Sequence, residues 1–150
     1  SHLFDYYYST VQQQSNSKLP LFIPAAGFGL PIVRKPQYDM VTLSGGGFIA
    51  SGSTGKDKQP IIIKNLWNQE EIAAIEPTDN EGFGEVQTPL KIKFKTNCNG
   101  PKIGDWFFFR PAKAGEIAEH FNEYFIVKKN DSRVELVTVA QTYRGNGFVR

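Results

Sequence analysis

Cysteine is almost missing from this chain: Cys98 is the only one in 150 residues. One thiol forms no intrachain disulfide and builds no structural zinc site, so this is no disulfide-stapled secreted module, and a reducing compartment suits it. Histidine is nearly as scarce, with only His2 and His120. No run of about eighteen apolar residues occurs, so no membrane-crossing helix and no membrane partner are expected. The opening Ser1-His2-Leu3-Phe4-Asp5 has neither a basic nor an apolar leader segment, so no signal peptide is expected. A charge excess is lacking too. Seventeen basic residues stand against 15 acidic ones, a net +2, too balanced to mark a nucleic-acid binder by global charge. No repeat of fixed period runs through the chain.

Glycine and proline, by contrast, are plentiful, at 14 and 9. That favours many short strands joined by turns, in a chain long enough to bury a real core. The most apolar stretch is Trp106-Phe107-Phe108-Phe109, launched by the turn Gly104-Asp105. Tyr124-Phe125-Ile126-Val127 and Val134–Val139 follow it. Aromatic and β-branched runs bounded by turn residues read as neighbouring strands of one sheet. Alternation along a strand sends two of the four aromatics inward.

Residues 1–18 read as an extended arm, with Phe4, Tyr6, Tyr7 and Tyr8 ahead of a Gln/Ser/Asn tract. Such a segment makes no core alone; it packs on its own domain or lies across a neighbouring subunit. Residues 19–150 read as a single β-rich domain. Leu21–Ile23, Leu30–Val33 and Met40–Leu43 are strand-like. Pro20, Pro24, Pro31 and Pro36 make this region edge strands or extended loops, because proline donates nothing to a ladder. Asn68 and Glu71 resemble an N-cap with its reciprocal acid, which places a short helix over 69–75, stopped by Pro77. Leu90-Lys91-Ile92-Lys93-Phe94-Lys95 alternates cleanly, with its lysines outward. Ala114, Ile117, Phe121 and Tyr124 share one face of a second helix, and Glu116, Glu119, His120 and Glu123 the other. Asn130-Asp131-Ser132 then turns a hairpin, with a loop slightly longer than two residues.

The expected fold class is mainly β: a small single-domain β-barrel or β-sandwich with one or two short helices and an extended N-terminal arm. In its turn-and-strand rhythm the segment Ile103-Gly104-Asp105-Trp106-Phe107-Phe108-Phe109 resembles SH3-like and OB-like barrels. The likeness is confined to the last third of the chain.

Candidate chemistry is thin. Ala50–Lys56 resembles a phosphate-binding loop, but Asp57 stands where the magnesium-binding hydroxyl belongs, and a strand-like run follows where a helix is needed. The glutamates around His120 sit at spacings that gather divalent metals on a helix, yet the matching second helix is missing, so they read as a solvated acidic face. Cys98 lies in a polar turn with no visible activation, and no nucleophile-elbow pattern occurs. Asp79-Asn80-Glu81-Gly82 misses calcium-loop spacing at the glycine and at the twelfth position. Asn130-Asp131-Ser132 fits the glycosylation pattern but reads as a turn. No catalytic, cofactor or metal residue is assigned.

Charge order says more. Six acids, including Glu76, Asp79 and Glu81, fall between 70 and 85 without a Lys or Arg; Lys91, Lys93, Lys95 and Lys102 follow before the next acid, Asp105. Complementary faces suit head-to-tail contacts between subunits, although they also neutralise each other within one fold. The leading expectation is a non-enzymatic assembly protein of a virion: a bacteriophage capsid, connector or tail component. Its partners would be copies of itself or other virion proteins, and its interface residues Phe4, Tyr6, Tyr7, Tyr8, Glu76, Asp79, Glu81, Lys91, Lys93 and Lys95. Two alternatives are kept. One is a barrel binding nucleic acid through the lysine row and Trp106; the other is an enzyme with an unrecognised site near His120. The virion is the expected location, with the cytoplasm as the alternative.

Overall fold

The computed structural model describes residues 24–50, 55–63, 72–95, 100–130 and 133–148. The chain divides into two compact units, Ser1–Lys113 and Ala114–Arg150. The first holds strands β1 (Phe28–Gln37), β2 (Met40–Ser44), β3 (Ile61–Ile62), β4 (Ile72–Pro77), β5 (Gln87–Phe94) and β6 (Trp106–Arg110). They lie in the order β3-β6-β1-β2-β5-β4, every neighbouring pair antiparallel. The result is a mainly β fold with a nearly closed, barrel-like sheet, as the composition leads one to expect.

Period-two patterning builds its interior. Phe28, Leu30 and Ile32 of β1 point inward with Val41 and Leu43 of β2, Leu90 and Ile92 of β5, and Phe107 and Phe109 of β6. Phe109 is fully enclosed, its ring 5.4 Å from those of both Phe28 and Phe83. Burying each large side chain is worth about 1.5–3 kcal/mol, which is what holds so short a set of strands together. Two loops approach each other closely: a Cβ on Gly46 would collide with the Gly84 carbonyl oxygen.

The prolines of β1 do not mark an edge. This strand is flanked on both sides, pairing with β6 through residues 28–31 and with β2 through residues 32–37. Pro31 is the last residue of the β6 ladder, opposite Trp106. Pro36 falls within the irregularity between Arg34 and Gln37. Both prolines sit at a partner change or a bulge, where the regular ladder is interrupted.

The helix expected over 69–75 is corrected where it can be seen. Residues 64–71 lie outside the described residues, and Ile72–Pro77 is strand β4, paired with β5 from Ile72↔Phe94 to Pro77↔Leu90. Tertiary pairing has overridden local helix signals. β4 is an edge strand, so Pro77 closes it without leaving a ladder unmatched.

The second unit contains α1 (Glu116–His120), β7 (Glu123–Asn130) and β8 (Arg133–Gln141). β7 and β8 form a two-stranded sheet of their own. The expectation that they neighbour the aromatic strand in one sheet is therefore corrected: both sides of β6 are taken, by β1 and β3. Pairing runs from Glu123↔Gln141 to Asn130↔Arg133, leaving the two-residue connection 131–132 rather than a longer loop.

Helix α1 is shorter than its periodicity predicts. Phe121 adopts extended backbone (φ −112°, ψ 147°), and the Thr142 hydroxyl donates to the Phe121 carbonyl while Thr142 N–H donates to Asn122 O at 3.0 Å. These bonds draw residues 121–122 toward the end of β8 and stop the helix. Glu123 and Tyr124 consequently belong to a strand, and Glu116 is buried. The four polar residues thus do not make one solvated helical face.

Candidate interaction surfaces

Three surfaces follow from this architecture. The first is charged. On β5, Lys91 and Lys93 stand exposed on either side of the inward Ile92, and Lys95 follows just beyond the strand. The β4–β5 register sets Glu76 opposite Lys91 and Ala74 opposite Lys93. Asp79 and Glu81 are exposed in the connection between the two strands, where Gly82 N–H donates to Thr78 O at 2.8 Å and Gln87 Nε2 to Glu81 Oε1 at 2.9 Å. Of the acidic and basic residues singled out from sequence, Glu76 and Lys91 therefore stand opposite each other on one two-strand edge of the same chain. Cross-strand pairing of opposite charges there contributes only tenths of a kcal/mol.

The second surface is apolar and lies on the outer side of β1 and β6. Trp106 and Phe108 alternate with the buried Phe107 and Phe109, and their rings cover Gly29, whose absent Cβ would sit 3.0 Å from Trp106 and 3.1 Å from Phe108. Val33 and Ile103 are exposed beside them in sequence. Trp106 and the lysine row do not form one footprint. Two strands, β1 and β2, separate β6 from β5, and Trp106 is level with Pro31 whereas Lys91 is level with Met40 at the far end of β1.

The third surface is the β7–β8 hairpin. Cross-strand partners share a face, so Phe125 and Val139 lie together, as do Val127 and Leu136, and Lys129 and Val134. An irregularity between Ile126 and Val127 adds Val137 to the same side. All of these apolar side chains are exposed. The opposite face carries Lys128 paired with Glu135, Asn130 with Arg133, and Ile126 with Thr138. Nothing in the sequence reading isolated this face, because its strands look like core strands. The signal local to the hairpin, an Asn-Asp turn between two apolar runs, marks a pair of strands and not its separateness from the larger sheet.

Around α1 one polar contact of His120 is made within the helix itself. His120 Nδ1 donates to the Glu116 carbonyl at 2.7 Å, and Glu119 and His120 are exposed. Among the described residues no group of three or more His, Cys, Asp or Glu is placed to hold a metal ion. Burial, and next the neighbouring Tyr143 charge, pushes the Tyr124 hydroxyl above the ordinary tyrosine value. Next to the former phosphate-loop candidate, Lys56–Lys58 form a single 3₁₀ turn leading to β3, while residues 51–54 lie outside the described residues. Phe4, Tyr6, Tyr7, Tyr8 and Cys98 also lie outside them. No helix among the described residues is long and apolar enough to cross a membrane. The chain matches no family model, no curated protein and no solved structure.

Proposed function

We propose that this chain is a non-enzymatic structural subunit that works by contacts with other subunits. The observation that carries this reading is the β7–β8 hairpin, which holds a set of large apolar side chains in water. Contiguous exposed patches of this kind mark interaction sites, since soluble monomers rarely keep them. The Gly/Pro-rich β composition and the aromatic arm of residues 1–18 suit a virion component, a bacteriophage capsid, connector or tail protein, and the virion is the location this implies. Its partners are copies of itself or other structural proteins. Residues 1–18 serve as the extending contact: Phe4, Tyr6, Tyr7 and Tyr8 add to a neighbour's sheet or groove, and exposed Asp79, Glu81, Lys93 and Lys95 supply charge contacts.

Light scattering on the full chain and on a chain lacking residues 1–18 tests the reading. The full chain is expected to assemble. The shortened one should keep its β circular-dichroism spectrum and lose the larger assemblies. A shortened chain that reaches the same mass as the full one would remove the arm from the reading.

A further inference from the structure

We infer that the apolar face of the β7–β8 hairpin packs face to face on the same face of a second copy, about a two-fold axis. The inference rests on the assembly reading and gives one of its contacts a symmetry and a set of residues.

Six side chains make up the face: Phe125, Val127, Val134, Leu136, Val137 and Val139, each between 42% and 66% exposed. The other face of the hairpin is built for water over its outer half, with Lys128 across from Glu135 and Asn130 across from Arg133. One face thus needs cover and the other mostly does not. Two-stranded hairpins are marginal alone in water, whereas four strands in two packed layers enclose a small core.

Charge placement selects the occupant. On the apolar face Glu123 closes the base of β7, beside Gln141, and Lys129 closes the tip, beside Val134. Gln141 Nε2 donates to Glu123 Oε1 at 3.2 Å, which holds that carboxylate on this face. The acid and the base are six residues apart on β7, or about 20 Å at the rise of a strand. A two-fold axis lying between the faces and perpendicular to the strands reverses one hairpin against the other. Each Lys129 then comes to the partner copy's acidic base, and each acidic base to a Lys129. The face is its own electrostatic complement, the property an isologous contact requires. A parallel arrangement would instead bring like charges together at both ends.

The area is sufficient. Six half-exposed side chains of this size present on the order of 500 Å² per copy, so a pair buries about 1,000 Å², the lower bound for a specific interface.

The test is sedimentation velocity on the full chain across a concentration series. Leu136→Asp, with an unchanged circular-dichroism spectrum, should abolish the two-fold step. Glu123→Lys and Lys129→Glu should each weaken it by about tenfold, because every substitution acts twice across the axis. The double reversal Glu123→Lys with Lys129→Glu should restore it, since exchanging both charges rebuilds the same complementarity. Val127→Cys in a Cys98→Ser background should link two copies through a short bis-maleimide reagent, because facing layers stand about 10 Å apart, too far for a direct disulfide. Oligomers whose mass ignores Leu136→Asp and both charge reversals would overturn the two-fold hairpin contact and leave the assembly reading standing. A chain that stays monomeric at every concentration would overturn both. Rescue failing in the double reversal, or no link between Val127→Cys copies that still pair, would overturn the symmetric geometry.

Discussion

The six-stranded sheet and the β7–β8 hairpin use the same residues to opposite ends. Both are antiparallel, and both carry alternating Phe, Val, Ile and Leu. In the first, Phe109 is wholly buried and Val41, Leu43 and Leu90 are equally enclosed; in the second, Phe125 is 66% exposed. Local sequence does not separate them. Layering does: a nearly closed sheet supplies its own second wall, and a single hairpin has none. An apolar strand is therefore a statement of demand, and whether the chain or another molecule meets it is decided by topology.

Sharpening that contrast begins in the sheet. Phe109→Ala removes the most enclosed ring and should cost about 3–5 kcal/mol in urea denaturation. Val137→Ala in the hairpin, measured in dilute solution, should change stability by no more than about 0.5 kcal/mol. A hairpin substitution as costly as the Phe109 one would break the comparison. Next in size, Gly46→Ala forces a Cβ against the Gly84 carbonyl and should cost about 1–3 kcal/mol by overpacking, read from the same denaturation midpoint. Gly29→Ala presses on the flexible outer rings of Trp106 and Phe108 instead. Its cost should be about 1 kcal/mol, the low end for overpacking, together with a shifted Trp106 emission in a Trp67→Phe background.

The smallest effect concerns pH. The Tyr124 hydroxyl titrates above its ordinary value because burial, then the Tyr143 charge, disfavours the phenolate. The folded state thus holds this proton more tightly than the unfolded chain. The associated stability is fully present below about pH 10, the unfolded tyrosine value, and is lost as pH rises through the higher folded value. Tyr124→Phe should flatten that alkaline decline in denaturation midpoints taken between about pH 8 and pH 11. An unaltered slope would show that Tyr124 does not carry it.

Much of the barrel was legible because its strands obey one rule at a time. Leu90–Lys95 alternates without exception, and the inward pair of the Trp106–Phe109 run follows from parity alone. β4 was not legible: Ile72-Ala73-Ala74-Ile75 has helix-compatible composition, and only its pairing with β5 makes it a strand. The separate hairpin was not legible either, since nothing local to Tyr124–Val139 reveals that both sides of β6 are already filled. Of the charged candidates, Glu76 and Lys91 were recognisable as surface residues, but their standing opposite each other depends on a register that spans fifteen positions of chain.

The partner change in β1 carries a consequence for errors in folding. A strand that slips by one position turns every side chain to the wrong side, and most strands are protected from this by side-chain burial alone. Here Pro31 and Pro36 add a backbone safeguard. Sliding β1 in either direction would carry a residue without an N–H out of the partner change or the bulge and into a regular ladder, while an ordinary residue took its place. The mispaired sheet would lose hydrogen bonds as well as packing. Residues that look like interruptions of the strand thus act against its near-neighbour misfolds.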